Sequence, residues 1–492
     1  MKEKIFSRLH KANGFYKVIC FLCLEMLAVT AFNLTNTALF FGILGGIITI
    51  LFFLTTVGFF NKDDYINIAI IVFPLVIFGL LTAVSYFNYE PSFKFANPAT
   101  RWMIPFSMIF FTICGYMFGS KKAFNLQKIL LVVYGAIAIL TLINLCVTLV
   151  QFKPFYTITY RNKYLYFDGL PSQTSIGNMA YALMGFSFEE VTIEYFSMYP
   201  SILLTSSMAL FFIKYKENKK LFLTFVGFTV LALITLILTP SIITLMLDAI
   251  VLITLAFVIL TVKGIFKKSF LKIFFIVAGI LGAIFFVILF LNAQREAGWG
   301  YVLQITGLQN FIRGNPFLNK IFNNSSLVAH FNSALDGLLS CYKFFGQPFE
   351  AGGYNIRQNW PLGVAPTGSI IIDTFMTAGF VGFVAFAIMV YLLIRNIIKF
   401  FKYSTEGTEY KTALIAFMFV FLTYGLLGFS TKPMVFVNES IPLQISSIFF
   451  VFLFLYGYIY KCSEKPKVIE LKANLHEEKE EEGNEKVSET NI

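Results

Sequence analysis

Long apolar runs recur along this chain, and charged residues bound each of them. The runs are about 18 to 25 residues long, which suits a helix that crosses a hydrocarbon core of about 30 Å. A membrane β-barrel would instead show short segments of alternating polarity, and the sequence lacks that pattern. The runs therefore predict an all-α polytopic membrane protein.

The charge of the chain fits the same class. Only 13% of the 492 residues are charged, whereas soluble domains carry about 25%. The formal net charge of +11 would suggest nucleic-acid binding in a soluble protein. Here most lysines flank the apolar runs, where they set membrane topology. We therefore expect no nucleic-acid partner.

About twelve transmembrane helices are predicted, and they make residues 1–460 a single membrane domain. The predicted spans are 16–32, 37–59, 65–87, 102–119, 129–150, 195–213, 221–238, 241–262, 273–291, 369–394, 412–429 and 442–460. Two connections between spans are long, at 151–194 and 292–368. Residues 461–492 form a polar segment with a glutamate-rich stretch, which predicts a disordered tail.

Lysines and arginines concentrate in alternate short connections, and this asymmetry predicts the orientation. The short connections on the poorer side hold only Lys94, Arg101 and Lys432. The richer side includes both ends of the chain, so both are predicted to be cytoplasmic. The two long loops then lie outside, and the expected location is the cytoplasmic membrane of a cell, as a multi-pass protein.

Arginine is distributed differently from lysine. Of seven arginines among the 38 basic residues, five are on the predicted outer side. These are Arg101, Arg161, Arg295, Arg313 and Arg357. Guanidinium binds phosphate or carboxylate through two parallel hydrogen bonds, so the set predicts an anion site at the outer face. The alternative is pairing with loop carboxylates such as Glu189, Glu190 or Glu296.

Ionisable residues inside predicted spans are a second class of candidate. Asp248 lies within the eighth span, Asp373 lies about one turn into the tenth, and Glu25 lies in the first. Such groups are functional candidates because charge is costly in lipid. A hydrogen bond between helices is the alternative explanation for Asp248 and Glu25.

Three outer-loop residues are candidates for accepting a proton: His330, Asp336 and Glu296. His330 is the only histidine on the outer side, although a lone loop histidine can also be incidental. The sequence has no H-E-x-x-H pattern, no cysteine and histidine cluster and no Walker pattern. We therefore expect neither a metal nor a cofactor, and the energy for a reaction outside must arrive with the substrate.

The second long loop contains an ordered set of features. It opens with Arg295-Glu-Ala-Gly-Trp299 and continues to a glycine-rich stretch at 346–354. The next span begins with Pro366-Thr-Gly-Ser-Ile-Ile-Ile-Asp373 and continues through Gly379. With twelve spans and two long outer loops, this arrangement resembles the O-antigen polymerase and O-antigen ligase superfamily, which includes polymerases of capsular polysaccharides.

One departure from that family distinguishes its two activities. The ligases carry a His-Asn pair just before the span that follows this loop, whereas this chain has Pro366-Thr367 there. The resemblance therefore favours a polymerase over a ligase-type transferase.

The resemblance implies a glycosyltransferase that works outside the membrane on undecaprenyl-pyrophosphate-linked glycans. It implies that Arg295 and Arg161, then Arg313 and Arg357, hold the lipid pyrophosphate. Asp336, Glu296 or His330 would accept the proton of the attacking hydroxyl. Expected partners are the lipid-linked oligosaccharide, membrane lipids and other assembly proteins, such as a flippase and a chain-length regulator.

Other functions fit the same layout. A transporter or lipid-linked oligosaccharide flippase also has twelve or more spans, but its polar residues line the midplane rather than loops. A peptidoglycan polymerase of similar membrane fold and a non-enzymatic partner of a biosynthetic complex also remain open.

Overall fold

The structure is a computed structural model, and it describes a defined part of the chain. The described residues are 62–85, 98–120, 126–151, 193–238, 242–293, 300–315, 318–319, 322, 370–427, 437–439, 441–444 and 447–464. The predicted spans 16–32 and 37–59 lie outside these ranges.

The described part is mainly helical. In chain order the helices are α1 Lys62–Ser85, α2 Pro98–Ser120, α3 Leu126–Gln151, α4 Ile193–Thr205, α5 Ser207–Leu210, α6 Lys219–Leu238, α7 Ile242–Val262, α8 Lys268–Ala293, α9 Gly300–Ile305, α10 Leu308–Gly314, α11 Ile370–Tyr403, α12 Thr408–Leu427 and α13 Ser447–Cys462. An antiparallel hairpin of β1 Val437–Glu439 and β2 Ile441–Gln444 precedes α13.

Four helical stretches are long and apolar enough to cross a membrane by length and composition. They are Lys62–Leu81, Lys219–Ile237, Ser269–Asn292 and Ala378–Tyr403. Shorter apolar helical stretches lie in α2, α3, α7 and α13. These helices indicate a membrane protein, as the apolar runs predict.

Two predicted spans differ from the observed elements. The span predicted at 195–213 is broken at Ser206 into α4 and α5. The hydroxyls of Thr205 and Ser206 donate to the carbonyls of Ile202 and Leu203, at 2.6 and 2.5 Å. Such bonds from a side chain to the preceding turn bend helices. The span predicted at 442–460 begins in β2, and its helix starts only at Ser447.

Small residues bring α2 and α13 into close contact. A Cβ on Gly115 would overlap the carbonyl oxygen of Phe454, and a Cβ on Gly457 would overlap that of Thr112. A Cβ on Gly119 would lie 2.9 Å from the Cβ of Lys461. Gly115 and Gly119 form the G-x-x-x-G spacing that lets membrane helices approach each other closely.

Aromatic side chains connect the remaining helices. Phe78 of α1 packs on Phe386 of α11 with 5.7 Å between ring centroids. Phe421 of α12 stacks on Phe452 of α13 at 4.4 Å. These buried rings supply packing in a bilayer, where helix association depends on close contact rather than on exclusion of water.

The long helix α11 has a local break at Gly379. Its backbone there has φ 66° and ψ −169°, inside an otherwise helical run. A residue with a Cβ rarely adopts this conformation. The break lies nine residues after the first residue of α11, in the small-residue segment that the sequence places at the start of the tenth span.

Candidate functional site

A network of charged and polar side chains joins three helix ends. The Lys461 ammonium, at the end of α13, donates to Asp64 of α1 at 2.7 Å and to Glu464 at 2.8 Å. The Tyr116 hydroxyl of α2 lies 2.8 Å from Asp64 and 3.0 Å from Glu464. Asn67 of α1 donates to Glu464 at 2.7 Å. We call Asp64, Asn67, Tyr116, Lys461 and Glu464 the Lys461 network.

The Lys461 network combines one cation with two carboxylates. The Tyr116 hydroxyl has a single proton, and both carboxylates approach it. The ring of Tyr116 also lies under the Lys461 ammonium, at 5.1 Å from its centroid.

Burial strengthens these contacts. The side chains of Lys461, Asp64 and Glu464 are 19%, 13% and 31% exposed, and Tyr116 is fully buried. Lys461 lies just beyond the predicted span 442–460. Burial alone would lower the pKa of Lys461, but the hydrogen bonds and charges of Asp64 and Glu464 outweigh it, so this pKa is raised.

A second set of contacts lies beside this network. The Tyr458 hydroxyl donates to Glu406 at 3.1 Å, which joins α13 to the connection before α12. The Cys462 thiol lies 3.7 Å from the Gly119 carbonyl. Lys411 donates to the Ser404 carbonyl at 2.5 Å. The ends of α1, α2, α11, α12 and α13 therefore meet through polar contacts.

These contacts favour a binding or anchoring role over catalysis. The carboxylates of the Lys461 network already accept hydrogen bonds from Lys461, Tyr116 and Asn67. No group of three or more metal-ligating side chains occurs among the described residues. The network holds Glu464 against α1 and α2.

Of the arginines predicted to bind an anion, Arg101 lies in the first turn of α2, and Arg313 is described together with its side chain. It lies in the last turn of α10 and is exposed. Leu303 of α9 and Ile312 of α10 are buried, whereas Tyr301 and Phe311 are 67% and 64% exposed. Exposed aromatic side chains beside a cation are typical of a membrane interface.

The short helices α9 and α10 follow directly from α8. Gly307, with φ 69°, forms the turn between them. Farther along, the Phe322 ring packs on Phe285 of α8 at 5.2 Å, and Asn292 donates to the Phe322 carbonyl. The described part of the second long loop therefore returns to the end of α8, as expected for a loop that packs on the membrane domain.

Of the three intramembrane candidates, Asp248 and Asp373 lie in helices, and Glu25 lies outside the described residues. Asp248 is 6% exposed and is buried in α7 beside Leu247 and Val251. Asp373 lies in the first turn of α11, six residues before Gly379. The burial of Asp248 agrees with the rule that ionisable groups in spans face the protein interior.

The other predicted site residues lie outside the described residues. They are Arg161, Arg295, Glu296, His330, Asp336 and Arg357. The anion-binding role of these arginines and the proton-accepting role of Glu296, His330 and Asp336 stay predictions.

Sequence reasoning missed the Lys461 network. It counted the lysines at helix ends only as topology signals and gave no role to Asp64, Tyr116 or Glu464. Asp63 and Asp64 directly follow Lys62, and this pair of carboxylates at the start of a predicted span was the available signal.

Three comparisons with known proteins found no relatives. No protein-family model matches the chain. No curated protein and no solved structure matches it either.

Proposed function

We propose that this chain polymerises lipid-linked oligosaccharide repeat units at the outer face of the cytoplasmic membrane, making a surface polysaccharide of the capsule or O-antigen type. It would have about twelve spans, with both ends of the chain in the cytoplasm. The observation that carries the proposal is the enrichment of arginine in the predicted outer loops. A pyrophosphate carried by a lipid is the anion most readily held at such a place.

Arg313 and its surroundings support this proposal. Arg313 is exposed on the short helix α10, and Tyr301 and Ile305 of α9 and Phe311 of α10 are exposed as well. A ligand with an apolar lipid tail and an anionic head matches that combination. The proposed reaction uses no residue of the Lys461 network.

In the proposed reaction, a hydroxyl of the acceptor repeat unit attacks the anomeric carbon of the donor glycan. The bond from that carbon to the lipid pyrophosphate breaks, and the pyrophosphate leaves with the bonding electrons. Arg295, Arg161, Arg313 and Arg357 would stabilise the growing negative charge, which accelerates the reaction if their bonds tighten in the transition state. Asp336, Glu296 or His330 would take the proton of the hydroxyl.

The test is the envelope glycan of a strain whose only copy carries Arg295→Ala, with membrane expression verified. We expect long polymer to disappear while single lipid-linked repeats accumulate and are accessible from outside. Arg295→Lys is the matched variant, because it keeps the charge and loses the planar fork. Unchanged polymer in Arg295→Ala and Arg161→Ala would exclude the arginine site.

The same experiment separates the main alternatives. A flippase defect would trap repeat units at the inner leaflet, where external probes do not reach them. A ligase defect would leave long polymer on its lipid carrier. Single repeats transferred to their normal acceptor would show that only polymerisation has failed.

A further inference from the structure

Two connections between helices lie side by side and form a positive patch. The Lys263 ammonium, after α7, donates to the Phe211 carbonyl, after α5, at 2.6 Å. It also lies 5.1 Å from the centroid of the Phe212 ring. The exposed lysines of these two connections and of the start of α6 are called the lysine patch: Lys214, Lys216, Lys219, Lys220, Lys263 and Lys267.

The positive charge of the lysine patch is largely uncompensated. Residues 211–220 and 263–267 contain one carboxylate, Glu217. It pairs with Lys214 at 2.7 Å, and both side chains are well exposed. Among the described residues, the other patch lysines form no ion pair. The patch therefore suits a polyanionic occupant.

The lysine patch lies toward the same helix ends as the Lys461 network. Tyr458 of α13 donates to Glu406 just before α12. The Tyr134 hydroxyl of α3 reaches the Ala413 carbonyl in α12 at 3.0 Å. The Tyr134 ring also packs on Phe225 of α6, which lies less than two helical turns after Lys219. These contacts connect the start of α12 with the start of α6.

An acidic stretch follows the Lys461 network along the chain, after residues 465–476, which carry three lysines and one glutamate. Residues 465–492 follow Glu464 directly, and residues 477–485 contain six glutamates and one lysine. Glu464 itself is held by Lys461 and Asn67. The thirteen residues from Glu464 to Glu477, if they behave as a flexible coil, span about 20 Å on average and at most about 45 Å when extended.

We propose that the glutamate-rich stretch 477–482 docks on the lysine patch of the same chain. A single exposed ion pair contributes little to stability. Several pairs on a tethered segment act together, because the tether raises the effective concentration of the segment. Docking covers lysines that would otherwise attract anionic lipid headgroups, so the segment and such lipids compete for the patch. This inference is independent of the proposed polymerase activity.

Zero-length carbodiimide cross-linking of the full chain tests the docking. This reagent joins a carboxylate to an amine only when the two groups are in contact. Applied to protein in neutral nanodiscs, with peptide mass spectrometry, it should join residues 477–482 to the patch lysines. The yield should fall roughly fivefold or more when salt rises from about 0.1 M to about 1 M, because the screening length shrinks from about 10 Å to about 3 Å.

The chain supplies its own controls. Lys214 and Glu217, at 2.7 Å, report the efficiency of the reagent at each salt concentration, and the yields are normalised to them. Lys399 and Lys402 are exposed lysines outside the patch and should react with the segment far less. A variant that combines Lys216→Gln, Lys219→Gln and Lys220→Gln has a weaker positive field at the patch. It should therefore also lower the yield of cross-links to Lys263 and Lys267.

Three outcomes would overturn the proposal. Equal cross-linking to Lys399 and Lys402 would mean nonspecific collision. In a mixture of isotopically labelled and unlabelled protein, cross-links found only between a labelled and an unlabelled copy would mean docking between chains. Absence of cross-links to the patch in neutral nanodiscs at about 0.1 M salt, while Lys214 and Glu217 still react, would mean that the segment does not dock there.

Discussion

Gly115 in α2 lies directly against the carbonyl oxygen of Phe454 in α13, so the two backbones touch without an intervening side chain. Gly457 makes the reciprocal contact with the Thr112 carbonyl. Two helices that approach this closely gain van der Waals contact along their whole length. The same approach brings Tyr116 and Lys461 into one polar network, so helix packing and the charge cluster depend on each other.

Gly115→Val should therefore separate α2 from α13. Inserting atoms into a packed interface costs about 1–3 kcal/mol, and a backbone overlap lies at the upper end of that range. We expect a clear fall in the apparent Tm of the protein in detergent. Gly135→Val, in α3 where nothing lies within 4 Å of an added Cβ, is the control. Equal effects of the two variants would contradict the close contact.

Lys461→Met should destabilise the protein because it removes the cation that Asp64 and Glu464 share. Losing one partner of a fully buried pair costs about 3–5 kcal/mol. These side chains are partly exposed, so we expect about 1–3 kcal/mol. Adding Asp64→Asn and Glu464→Gln to the Lys461→Met variant should recover much of the lost apparent Tm. Lys62→Met, at an exposed position of α1, is the control, and an equal loss there would exclude a special role for Lys461.

The contribution of Lys461 should also depend on pH in a defined direction. Its pKa is raised above the ordinary value of 10.5, so the folded state holds this proton more tightly than the unfolded state. The stabilisation is fully present below the ordinary pKa of 10.5 and is lost as pH rises through the raised folded value. The difference in apparent Tm between the native protein and Lys461→Met should stay constant to about pH 10 and shrink above that. A difference that disappears near neutral pH would contradict this assignment.

Arg313 offers a test of the outer site within the described part of the chain. If its guanidinium holds a pyrophosphate, Arg313→Ala should reduce polymer formation by about tenfold or more. Arg313→Lys should retain part of the activity, because a point charge replaces the planar fork. The measurement is the chain-length distribution of the envelope glycan at equal expression. Asn310→Ala, also exposed on α10, is the control. If Arg313→Ala gives the same chain-length distribution as Asn310→Ala, Arg313 does not belong to the site.

The helices could be predicted because the signal for a span is local. Apolar length alone places α1, α6, α8 and α11, since each bilayer crossing needs about 20 apolar residues. The break at Ser206 and the β1–β2 hairpin were missed, since an apolar run does not specify its own hydrogen-bond pattern. The pairing of Lys461 with Asp64 joins residues 397 positions apart. Only the packing of α2 on α13 and on α1 brings them together.

The break in α11 gives the last prediction. Gly379 has φ 66° and ψ −169°, a conformation almost restricted to glycine, and forcing another residue into it costs about 1–3 kcal/mol. Gly379→Ala should lower the apparent Tm, or straighten α11 and shift Asp373 relative to α1. Gly282→Ala is the control, since its Cβ would meet nothing within 4 Å in a regular part of α8 and alanine favours helix by about 1 kcal/mol. Distances between spin labels on α1 and the start of α11 separate the two expected outcomes. If Gly379→Ala changes neither the distance nor the apparent Tm, the break is not a fixed feature of the fold.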